Sequence, residues 1–196
     1  MKKVSDIHAI KIIFFITACY VGLWAIRIPT IKDQLQTDYV GVGYIMLSFA
    51  IGSIVAMIFA NALILKTSTK SILTCTLIAE GCLWLPVPFI QELWLFMAFS
   101  FIFGMSYGAF EIACNVYASN LEVREKKSMM SGFHAFWSLG VLFGSLITSF
   151  LLEWNYSFIF NILLYVIILL PLSLYFVFCL ESHVEIKSED SSKKNI

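Results

Sequence analysis

The sequence predicts an all-α membrane protein, a bundle of six transmembrane helices, and three observations carry that prediction. Apolar residues make up 60% of the 196 and charged residues only 13%, with a mean hydropathy of +0.86. That leaves too few polar side chains to coat a water-soluble globule. The charges fall in clusters separated by apolar runs of about 20 residues, the length that crosses a bilayer core. The clusters also alternate: if the chain crosses six times, all thirteen Lys and Arg except Arg27 and Lys32 fall on one side. By the positive-inside rule that side is the cytoplasm, so both termini are expected there. The formal charge of zero follows from topology and says nothing about partners.

The first helix is expected over 9–28. Lys2, Lys3 and Lys11 precede an apolar run from Ile12 to Ile26, the charge order of a signal peptide. No A-x-A-like cleavage site follows, and Arg27 and Pro29 open a polar loop, so the run reads as an uncleaved helix with Lys11 snorkelling to the interface. Lys32, Asp33 and Asp38 fill that loop. The second helix, 40–65, is uncharged from Tyr39 to Leu65, and Lys66 to Lys70 make a short turn. A third, 71–90, contains Glu80 and ends at Pro86 and Pro88. The fourth follows Gln91 and Glu92 and spans 93–120. A charged hairpin (Glu122, Arg124, Glu125, Lys126, Lys127) leads to the fifth, 128–151, and the sixth runs 155–180. Residues 1–180 thus form one bundle. The remainder, 181–196, is a polar cytoplasmic tail expected to be disordered.

Small residues mark where these helices would touch. Ser48, Gly52, Ala56 and Ala60 recur every four residues in the second helix, and Gly104/Gly108 and Gly140/Gly144 are GxxxG pairs. Such spacing lets backbones approach closely in lipid, so the helices are expected to form a compact bundle. The five cysteines all lie in apolar runs, with no CxxC and no Cys/His cluster. They read as small buried fillers, and neither a disulfide, a metal site nor a cofactor is expected.

Candidate functional residues are those hydrocarbon should reject. On a helix, Gly104, Gly108, Glu111 and Asn115 fall within an arc of about 60°. Ser131, His134 and Ser138 form a similar stripe on the fifth helix. An intramembrane charge costs roughly 2.5–3.5 kcal/mol on insertion scales, so such groups face a cavity or a partner. Two stripes meeting across a water-filled cleft is the expectation. Glu111 can carry a proton through a transport cycle, or it can be a structural carboxyl bonded to Asn115. His134 can relay a proton or bond a solute hydroxyl; a plain interhelical hydrogen bond fits it equally. Asn115 can orient either the carboxyl or a solute, or act as glue between helices.

Thr17, Tyr20 and Trp24 share a face of the first helix, where rings and hydroxyls suit a sugar. Trp24 also suits the interfacial belt, to which Trp84, Trp94 and Trp154 are assigned. Trp137 lies deeper and is open to either reading. Arg27 and Lys32 can draw an anionic solute, pair with an acid as an outer gate, or anchor the interface. Glu80 reads by default as a protonated, hydrogen-bonded carboxyl, with cavity access not assured and no role assigned. No GxSxG, HExxH, Walker loop or dinucleotide turn occurs, and Ser131 with His134 has no oxyanion site, so no enzyme is expected. The basic residues follow topology, so no nucleic acid is expected either.

At this point the chain resembles the N-terminal six-helix half of a major facilitator superfamily transporter. The likeness covers about 9–180. It rests on Arg27-Ile-Pro29-Thr-Ile-Lys32, Gly52-Ser53, and the run Glu111…Asn115…Ser131-Gly-Phe-His134…Ser138-Leu-Gly140. It is similar to a bacterial inner-membrane branch distantly related to fucose-permease-like symporters. The resemblance implies two inverted three-helix repeats and alternating access around a midplane cavity. It further implies transport of a small polar solute such as a sugar, coupled to protons through Glu111. Tyr20, Trp24, Arg27, Asn115, His134 and Ser138 would assist.

Three features depart from the superfamily pattern. The loop G-x-L-x-D-R-x-G-R-R is matched by Asn61, Leu63, Leu65, Lys66, Ser68, Thr69 and Lys70, with Leu65 in the acidic gate position. Ser145 follows Gly144 where antiporters carry proline, which favours symport or facilitated diffusion. Six spans stand where the family has twelve, and the tail resembles the start of the central linker. A second six-helix half or a homodimer is therefore expected if the chain functions. The competing reading is a truncated or non-transporting membrane protein with a scaffold role.

Overall fold

The computed structural model describes residues 5–181, except the side chains of residues 60–63 and 65. Lys2, Lys3 and the polar tail beyond residue 181 lie outside the described residues, as do the side chains of Ala60, Asn61, Leu63 and Leu65. Among the described residues, six helices make up the bundle: α1 (Asp6–Gln34), α2 (Tyr39–Lys66), α3 (Thr69–Trp84), α4 (Leu93–Glu125), α5 (Met130–Glu153) and α6 (Phe158–Cys179); each is long and apolar enough to cross a membrane once the third is counted to Phe89.

Three boundaries differ from the charge pattern. Helix α1 continues through Pro29 to Gln34, because Ile31 and Leu35 are buried beyond the proline and hold the extra turns against the bundle. Helix α3 stops at Trp84, and the two prolines give a short 3-10 turn, Val87–Phe89. Helix α4 absorbs most of the charged hairpin and ends only at Glu125, where Lys126 takes the left-handed conformation (φ 51°). Charge marks where a span leaves hydrocarbon. It does not mark where the helix ends, since a charged helical turn is stable in water.

Two tight seams organise the bundle: α1 against α5 and α2 against α4. Looser contacts join α3 to α4, α1 to α6 and α3 to α6. Exchange α1 with α4, α2 with α5 and α3 with α6, and the same set of contacts returns. Three crossings per unit reverse its direction in the membrane, so the units α1–α3 and α4–α6 form the inverted repeat pair expected of half a transporter.

Glycine makes both seams possible. A Cβ on Gly140 would strike the Phe15 carbonyl oxygen and lie 2.8 Å from Ala18 Cβ; one on Gly144 would lie 2.7 Å from Cys19 Cα. In the other seam, a Cβ on Gly104 or Gly108 would lie 2.8 Å from Phe49 C or Ser53 Cα. Gly22 and Gly52 approach Val141 and Phe101 in the same way from the opposite helices. Backbones this close gain dispersion contacts that lipid cannot offer.

Polar side chains close the two ends. At the basic end, Asp6 is buried (5% exposed) and pairs with Arg124 across 3.0 Å, and Arg124 also meets Glu181 at 3.2 Å. Glu122 accepts from the backbone N–H groups of Met129 and Met130, which caps the start of α5. Lys70 Nζ donates to the carbonyls of Phe178 and Leu180, at 2.9 and 2.7 Å, and so satisfies the end of α6. At the opposite end, Gln34 donates to Val87 O and Ile90 O, which ties α1 to the turn before α4.

Candidate functional site: an aromatic cavity and a polar shelf on α4

Between α1, α2, α3 and α4, in the half of the bundle away from the basic end, lies a cavity of about 350 Å³. Its size suits a small organic molecule. The walls are mainly aromatic. The Trp84 ring, 2% exposed, stacks on Tyr20 (centroids 5.9 Å, planes 17° apart) and meets Trp24 and Phe103 edge-on at 6.2 and 5.5 Å. Phe96 closes the wall beside Trp24. The Trp84 indole N–H is buried without a hydrogen-bond partner.

One acid lines this cavity: Glu80, 6% exposed. It sits one turn before Trp84 on the same face of α3. Among the described residues it has no hydrogen-bond or ion-pair partner. This differs from the hydrogen-bonded carboxyl expected from the sequence, and it answers the question of cavity access that the sequence leaves open. Helix α3 packs on α4 and α6, and the Glu80–Trp84 face turns inward to line the cavity with α1, α2 and α4. Trp84 likewise leaves the interfacial belt for the interior. Trp94 and Trp154 remain at helix ends, 75% and 64% exposed. The paired signal was in the sequence, as Glu and Trp at i and i+4, but nothing in it said which way that face points.

The polar shelf lies along α4 toward the basic end. Glu111 and Asn115 are half-buried one turn apart, and the Asn115 side-chain oxygen is buried without a partner. His134 of α5 stands within electrostatic reach of Glu111 and meets the Phe14 ring edge-on at 5.7 Å. Ser138 is exposed and donates to the His134 carbonyl of its own helix at 3.1 Å. Tyr107 lies between the two compartments. It lines the cavity and is within electrostatic reach of both Glu80 and Glu111.

The predicted residues therefore divide. Glu111, Asn115 and His134 come together on the shelf, and Tyr20 and Trp24 join the cavity, with the Tyr20 hydroxyl 3.4 Å from Tyr165 O. Thr17 does not reach the cavity; it turns back to the Ile13 and Phe14 carbonyls. Gly104 and Gly108 share the arc of Glu111, but their surface is filled by α2 and offers no cleft. Arg27 faces away from both compartments. Only 2% exposed, it donates to Asn161 Oδ1 at 3.1 Å and Tyr156 O at 3.3 Å and lies over the Phe158 ring. That geometry is a clasp between α1 and the start of α6.

The family model described as Major Facilitator Superfamily matches residues 12–195. The chain belongs to the Major Facilitator Superfamily. Among curated superfamily relatives, it is 28% identical over 145 residues to an uncharacterized MFS-type transporter of Yersinia pestis, covering 72% of this chain and 37% of that protein. It is 25% identical over 141 residues to an uncharacterized transporter of Sinorhizobium fredii (strain NBRC 101917 / NGR234), covering 67% of this chain and 35% of that protein. The matched region thus spans about a third of the length of these relatives. No solved structure matches the chain. Within the superfamily fold, six helices in two inverted triplets correspond to half of the complete carrier, with α1 and α4 flanking the cavity.

Proposed function

We propose that this chain acts as one half of a proton-coupled carrier that moves a small polar solute across the inner membrane, with both termini in the cytoplasm. The observation that supports it best is the continuity along α4. A ligand-sized cavity and Glu111 share one helix, with His134 within electrostatic reach of the acid from α5 and Tyr107 in reach of the acids on both sides. Glu111 takes and releases the proton, and His134 modulates its charge across α5. Asn115, with an unsatisfied oxygen one turn away, orients the carboxyl or a solute hydroxyl. The tight α1–α5 and α2–α4 seams make the half a stiff body, which suits rocking against a second half around a central site. That second half is a separate six-helix unit or a second copy.

Sugar uptake is the first test, since the fucose-permease-like symporters that the sequence distantly resembles point to a hydroxylated solute. Vesicles bearing the chain, together with a second six-helix half, are assayed for labelled hexose uptake with and without an inward proton gradient. Gradient-driven uptake is expected, and Glu111→Gln should abolish the gradient dependence. Equal gradient-driven uptake by both forms would remove Glu111 from the carrier role.

A further inference from the structure

The cavity holds a group that the proton mechanism at Glu111 leaves unused. We propose that it is a binding site for an organic ammonium compound with an apolar body, held by its aromatic walls and by Glu80. This goes beyond the transport reading, because it concerns equilibrium binding at Glu80, a group the proposed proton step at Glu111 does not use.

Four observations lead to that chemistry. Glu80 is almost wholly buried, lines the cavity and has no partner among the described residues. No Lys, Arg or His lines the cavity, so the carboxylate form of Glu80 has no counter-charge there, and an entering organic cation would supply one. The rings of Tyr20, Trp24, Trp84, Phe96 and Phe103 line one space, and aromatic surroundings of this kind recognise quaternary ammonium groups. The volume of about 350 Å³ leaves room for an apolar body beside the head group.

Competing ligands fit less well. A bare metal ion needs several oxygen ligands, and a single carboxyl among rings does not supply them. An anion would meet a carboxylate without a compensating cation. A sugar would bury many hydroxyls, for which the walls offer few partners beyond Glu80, Ser100 and the tyrosines.

The test compares two probes of the same shape: benzyltrimethylammonium and neopentylbenzene, in which carbon replaces the charged nitrogen. Equilibrium binding is measured on the purified chain in lipid nanodiscs. The native chain should bind the cation saturably and about tenfold more tightly than the neutral isostere. Glu80→Gln should erase that preference while still binding the isostere, which shows that the cavity remains folded. Glu80→Asp, which keeps the charge, should retain the preference, and Glu153→Gln, at the exposed end of α5, should leave it unchanged. Equal affinities on the native chain, binding of neither probe, a preference that survives Glu80→Gln, or displacement of the cation by glucose would each overturn the proposal. None of these results depends on proton-driven uptake, so failure here and failure of Glu111 as a carrier can be told apart.

Discussion

Asp6 and Arg124 make the clearest case at the scale of single residues. The carboxylate is buried and the guanidinium is about one-third exposed, so the two substitutions are not equivalent. Arg124→Gln leaves a buried charge with its main partner gone, whereas Asp6→Asn removes the charge itself. We expect Arg124→Gln to cost about 1–3 kcal/mol of stability, discounted for solvent access, and Asp6→Asn less. Thermal unfolding in detergent orders the two. Trp84 gives a second contrast. Its N–H has no partner to lose, so Trp84→Phe should be nearly silent, while Trp84→Ala should cost about 3–5 kcal/mol by emptying a buried aromatic site. The same unfolding assay checks both.

Helix seams obey a different rule, because what matters there is how near one backbone comes to another. Gly144 faces the Cys19 backbone and Gly108 faces Ser53, neither of which can move aside like a flexible side chain. Gly144→Ala and Gly108→Ala should each destabilise the bundle by about 1–3 kcal/mol, as overpacking does elsewhere. Gly43 meets nothing within 4 Å, and Gly132 meets only the Lys11 Cε at 4.0 Å. Alanine at those positions should be neutral or stabilising by up to about 1 kcal/mol, since it only improves helix propensity. Unfolding midpoints of the four variants, compared side by side, decide between seam and surface. The GxxxG pairs announced these contacts in the sequence. Their partners could not be named, because the spacing says that a backbone approaches and not which one.

For the whole molecule, the arrangement of charge predicts sidedness. The basic end carries Lys66, Lys70, Arg124, Lys126 and Lys127, and the opposite end carries exposed Trp94 and Trp154. In a chain whose native cysteines are replaced by serine, Lys126→Cys should react with a membrane-impermeant maleimide only in inverted vesicles. Trp94→Cys should react only in right-side-out ones. The opposite pattern would reverse the proposed topology. The broad apolar faces of α2 and α5, with Ile51, Ile54, Leu142 and Leu146 exposed, suit lipid or another six-helix unit.

Composition and charge spacing were enough to determine a six-span bundle. A bilayer imposes one length on every crossing, and each departure from apolarity is expensive enough to show. The same economy made Glu111, Asn115 and His134 stand out, and the fold brings them onto one shelf. The direction of Glu80 and Trp84, the inward clasp of Arg27 and the pairing of Asp6 with Arg124 were decided only by tertiary structure. Helical periodicity tells which residues share a face, but the neighbour of that face is set by how helices distant in sequence cross. The cavity exists because α1, α2, α3 and α4 enclose it at the level of Glu80, and that enclosure is a property of the assembled bundle.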